Sequence, residues 1–101
     1  MPHEFFEKQV SSYPKLLKEI ELLDVDSGIR TFGDYSGNKG QFVFITRSPH
    51  DTYTLMVYER AGDSKAPAPG RRLLVREFVQ RSDLARFMKG LVSKPVRAFV
   101  Y

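Results

Sequence analysis

Few residues of this chain have the type and spacing that catalysis needs. His3 and His50 are the only histidines, and there is no cysteine. That excludes disulfides, thiolate metal sites and a cysteine nucleophile. His50 precedes Asp51 in SPHD, where a base beside an orienting carboxylate is conceivable, but adjacent residues in a turn more often serve turn geometry. Glu19, Glu21, Asp24 and Asp26 form an acidic cluster whose helical context favours a solvated face over a divalent-ion site. The glycine-rich GDYSGNKG segment lacks the Lys-Ser or Lys-Thr step of a Walker loop. The residues therefore predict a protein that is not an enzyme, with no catalytic residues, no metal and no cofactor.

Aromatic and arginine side chains carry the stronger signal. Alternate residues of a strand face opposite ways. One set is mostly aliphatic: Val43, Ile45, Tyr53, Leu55, Val57, Leu73, Val75, Val96, Ala98 and Val100. The complementary set holds Phe42, Phe44, Thr54, Met56, Tyr58, Arg72, Leu74, Arg76, Phe78, Arg97, Phe99 and Tyr101. A solvated outer face is expected to carry small polar and charged residues instead, and so many rings in water would make an adhesive patch.

Rings of this kind stack on nucleic-acid bases at about 1–3 kcal/mol per base, while arginines hold phosphates or stack as cations. The candidate nucleic-acid-binding residues are Phe42, Phe44, Tyr58, Arg72, Arg76, Phe78, Arg97, Phe99 and Tyr101. Two other arrangements remain open. N-terminal helices bearing Phe5, Phe6, Leu16, Leu17 and Ile20 would cover the aromatic face and leave arginines only at its rim, or they would cover part of it and leave a cleft.

The elements that must position these residues follow from periodicity. Phe5, Phe6 and Val10 predict a short helix, broken near Pro14, with a second helix carrying Leu16, Leu17, Ile20 and Leu23 on one stripe. From Gly28 the period becomes two, and strands are expected at 29–32, 41–46, 52–60 and 71–79. Ser82 is a suitable N-cap for a last helix with Leu84, Phe87, Met88, Leu91 and Val92 inward, and VRAFVY at 96–101 is a final strand or an extended tail able to pair with a sheet edge. The expected fold is α+β: an antiparallel four- to five-stranded sheet with two N-terminal helices and one C-terminal helix. Residues 1–101 form a single domain in this reading, with 1–27 its helical N-terminal segment and 28–101 the sheet plus helix.

The totals suit such a domain: 42% hydrophobic, 28% charged and a net charge of +4. Residues 1–59 hold six Lys/Arg against nine Asp/Glu, whereas 60–101 hold ten against three. A basic second half attracts a polyanion, although surface charge of this size also serves solubility. The N-terminus lacks the basic start and apolar run of a secretory signal, and no stretch approaches membrane-spanning length, so a soluble, cytoplasmic protein with no membrane partner is expected.

The run from QFVFITRSPHDTYTLMVYER through RRLLVREFV to SDLARFMKGL is a succession of strands followed by an amphipathic helix. It resembles the PUR-alpha, Whirly and transcriptional-coactivator group of single-stranded-DNA-binding domains, and is similar in plan to the archaeal ThermoDBP family. The resemblance implies sequence-tolerant binding of single strands, often as a homodimer, with Tyr58, Arg76 and Phe78 best fitting the platform. The expected function is non-catalytic binding of ssDNA or RNA through an aromatic and basic sheet face. The alternatives are a protein–protein interaction or regulatory module using the same face, and a small-ligand-binding protein or small enzyme. The C-terminal strand is a candidate homodimer contact.

Overall fold

The structure is a computed structural model and describes residues 8–25, 27–35, 38–62, 67–92 and 96–101. Six strands, β1 (Lys8–Val10), β2 (Gly28–Tyr35), β3 (Asn38–Arg47), β4 (Tyr53–Gly62), β5 (Pro67–Phe78) and β6 (Ala98–Val100), form one sheet in the order β1-β6-β2-β3-β4-β5. Every neighbouring pair is antiparallel. Helix α1 (Tyr13–Glu21) lies between β1 and β2, and α2 (Arg81–Lys89) between β5 and β6. Strands β2 to β5 are a meander of hairpins, and β6 returns to the far side of β2 to pair with both β2 and β1.

The α+β character therefore comes with six strands and two helices, which corrects the expected four or five strands and three helices. The first expected helix is the main error. Val10 is not on a helical stripe but in β1, buried and paired with Ala98, so a partner near the other end of the chain decides its conformation. Phe5 and Phe6 lie outside the described residues.

Helix α1 begins where the sequence places it: Ser12 accepts a capping hydrogen bond from the Lys15 N–H (3.4 Å), and Pro14 stands in the first turn, where a missing N–H costs little. Its Leu16 and Ile20, with Leu23 just beyond, are buried. Helix α2 starts two residues earlier than Ser82 implies. Gln80 occupies the N-cap without a side-chain cap bond, and Ser82 falls inside the first turn beside Asp83, whose charge suits that end of a helix.

Both helices pack on the same face. Leu16, Ile20, Leu23, Leu84 and Met88 join Ile29, Val43, Ile45, Leu55, Val57 and Ala98 in one core. Each fully buried aliphatic side chain contributes about 1.5–3 kcal/mol. Tyr13 ties the helices together by donating its hydroxyl to the Ala85 carbonyl (2.8 Å), and partial burial pushes its phenol above the ordinary tyrosine pKa. Arg47 ties the β3–β4 turn to the end of α1, donating to the Leu23 carbonyl (2.9 Å) and to Asp51. Among the described residues no helix is long and apolar enough to cross a membrane.

Candidate functional site

With both helices on one side, the register decides which residues occupy the other. Antiparallel partners share a face, so the pairs can be followed across the sheet. Phe32 is paired with Phe42, Phe42 with Tyr58, and Tyr58 with Arg72. One step along, Gln9 is paired with Phe99, Phe99 with Arg30, Arg30 with Phe44, Phe44 with Met56, and Met56 with Val75. Beyond that lie Gly28, Thr46, Thr54 and Glu77, with Tyr101 exchanging both backbone hydrogen bonds with Gly28 (2.9 Å each). No described helix lies over this open face.

The rings are in contact rather than scattered. Phe32 and Phe42 have centroids 5.3 Å apart, Phe42 and Phe44 are stacked at 6.2 Å and 11°, and Phe44 meets Tyr58 edge-on at 5.5 Å and 85°. Such pairs are worth about 0.5–1.5 kcal/mol beyond area burial. Neighbouring rings account for Phe42 being only 5% exposed although it faces away from the helices. Arg30 and Arg97 lie over rings, with their guanidinium carbons 4.9 Å from the Phe99 centroid and 5.7 Å from that of Phe32. The Tyr101 ring covers Gly28 so closely that a Cβ there would stand 2.8 Å from it, so the absent side chain lets the ring lie down.

Of the sequence-derived site residues, Phe42, Phe44, Tyr58, Arg72, Arg97, Phe99 and Tyr101 come together on this open face. Arg76 and Phe78 do not. Phe78 is opposite Tyr53 and Arg76 opposite Leu55, both partners in the core face. Phe78 is buried against Phe87 of α2 (5.6 Å), and the Arg76 guanidinium lies 5.4 Å from Phe78 and 5.0 Å from Phe87.

A bulge causes the exchange. Leu74 pairs with Val57 but Arg72 with Tyr58, so Leu73 is the extra residue and both leucines pack against the core. One inserted residue reverses the alternation beyond it. Arg72 keeps the expected face, whereas Leu74, Arg76 and Phe78 move to the helix side and Val75 to the open side. Arg30 and Phe32 belong to the open face and were not among the sequence candidates, although the alternation of Ile29-Arg30-Thr31-Phe32 carries the signal.

The chain matches no family model, no curated protein and no solved structure.

The other chemistry-bearing residues are placed as follows. Asp51, with a positive φ of 62°, accepts from Arg47, and this pairing keeps the Arg47 guanidinium more firmly protonated than usual. His50 is exposed, and its backbone N–H donates to the Ser48 hydroxyl (3.3 Å). No group of three or more His, Asp or Glu side chains able to hold a metal occurs among the described residues. Asp26 lies outside them. Two grooves, of about 600 and 530 Å³, are on the helix side and open to solvent. The first is between α1, the β3–β4 turn and the start of α2, and the second is beside Arg76 and Phe87.

Proposed function

We propose that this protein binds single-stranded nucleic acid, without catalysis, on the open face of its sheet. The observation that carries the proposal is the contiguous array Phe32–Phe42–Phe44–Tyr58 on the face opposite both helices, bordered by the exposed arginines Arg97 and Arg72. Splayed bases stack on such rings, and exposed guanidinium groups meet the phosphates between them. A duplex offers its bases only at groove edges, so exposed rings on an open sheet face favour an unpaired strand. The meander β2–β5 followed by α2 has the strand-and-helix plan on which the resemblance to PUR-alpha, Whirly and ThermoDBP domains rests.

Fluorescence anisotropy of labelled oligo-dT, oligo-U and a matched duplex at two salt concentrations tests it. Binding is expected for the two single strands, weaker for the duplex, and steeply weaker at higher salt. A second reading draws on the apolar members of the same face, Met56 and the half-exposed Val75, which suit a protein partner, including a second copy of this chain. Absence of binding to all three oligonucleotides at low salt, together with a dimer in light scattering that Phe44→Glu dissolves, would establish that reading instead.

A further inference from the structure

The register does more than gather rings on one face; it orders them. Phe32, Phe42 and Tyr58 are direct cross-strand partners, and the same row ends at Arg72 on β5. At the opposite end Arg97 lies against Phe32. The row therefore reads arginine, ring, ring, ring, arginine, perpendicular to the strands. Five neighbouring positions at the interstrand spacing span about 19 Å. Both terminal arginines are exposed, whereas Arg30, within the sheet, is half-buried over Phe99. Arg60 adds a third exposed cation beside Tyr58, its guanidinium lying over Gly40.

The row at the other end of the same face has a different chemistry. Thr46, Thr54 and Glu77 follow Gly28 and its Tyr101 lid, so it offers hydroxyls and a carboxylate where the first row offers rings and cations. A polyanion is drawn to one row and repelled from the acidic end of the other.

The geometry points to a single strand that crosses the sheet at right angles to its strands, along Arg97–Phe32–Phe42–Tyr58–Arg72. This deepens the proposed single-strand function and rests on it. About two bases stack on Phe32 and Tyr58, the half-buried rings of the row, with Phe42 packed beneath its neighbours as their support, and the flanking phosphates meet Arg97 at one end and Arg72, with Arg60, at the other. The row holds rings and guanidinium groups but no amide or carboxylate side chain to read a base edge, so the occupant is a sequence-tolerant single strand.

Two measurements on the full chain test the path. Short oligo-dT carrying iododeoxyuridine at one end or the other is photo-crosslinked and the adducts are mapped. One end is expected to mark Phe32, and the other end Tyr58. Adducts from both ends confined to Phe42 and Phe44 of β3 would show a strand lying along the β-strands and overturn the path.

In the second measurement, Arg97→Ala and Arg72→Ala are each expected to lower the salt slope of oligo-dT binding by about 0.7, and together by about 1.4, while Thr54→Ala leaves it unchanged. Both arginines are exposed, and thermal melting checks that the variants fold. Binding with an unaltered slope in the double variant would remove the path but leave the single-strand function standing. Loss of all binding by the unmodified protein would remove both.

Discussion

Two groups of arginine and aromatic side chains stand on opposite faces of the same sheet. On the open face, Arg97 leans over Phe32 at the end of a ring array that no described helix covers. On the other, Arg76 lies over Phe78 and Phe87 at the margin of the helix layer, with Phe78 6% exposed. Their residue types are alike and their guanidinium–ring distances fall in the same range. What separates them is the body behind the ring: α2 packs on Phe78, whereas among the described residues Phe32 is packed by its sheet neighbours. A ring beside a cation is thus a ligand platform or a core margin according to its face, and the face is set by register.

The comparison breaks most visibly at Phe78. Phe78→Ala removes a ring packed between Tyr53's face of the sheet and α2, and should destabilise the protein by about 3 kcal/mol in a urea titration, with the folded fraction binding oligo-dT as before. Retained stability with lost binding would return Phe78 to the platform. Tyr58→Ala should do the reverse. It loses about 1 kcal/mol of stability with the Phe44 contact, yet weakens single-strand binding by about tenfold or more, and equal affinity for oligo-dT would take Tyr58 out of the site.

Arg76→Ala is the finest discriminator. Its contacts with Phe78 and Phe87 are worth about 0.5–1 kcal/mol at a site as exposed as this, and a small drop in melting temperature is expected with no change in the salt slope of binding. A slope reduced by about 0.7 would mean that phosphates reach the helix side of β5.

Much of this was legible in the sequence, strand by strand. In β3 the alternation of Phe42, Val43, Phe44 and Ile45 fixes the two faces, and the structure keeps it. In β5 the run Leu73-Leu74-Val75 is apolar in either phase, so the sequence holds no mark of where alternation slips, and only pairing with β4 locates the bulge. A consecutive apolar triplet in an edge strand is itself the available warning. β1 was illegible for another reason: a strand of three residues is made by its partner, and that partner is near the other end of the chain. The cap of α2 misled because Ser82 is a better capping residue than Gln80, while the end of β5 determines where the helix can begin.

The position of β6 has a consequence for how the chain assembles. β2 to β5 and α2 are built from neighbouring segments and can form early, but β6 must arrive before β1 has anything to pair with, and β1 leads directly into α1. Closing so long a loop is slow relative to zipping a hairpin. The half of the sheet that holds Phe42, Phe44 and Tyr58 therefore sets before the half that holds Phe99 and Tyr101. Amide exchange should follow the same order, with β1 and β6 opening while β3 and β4 stay protected.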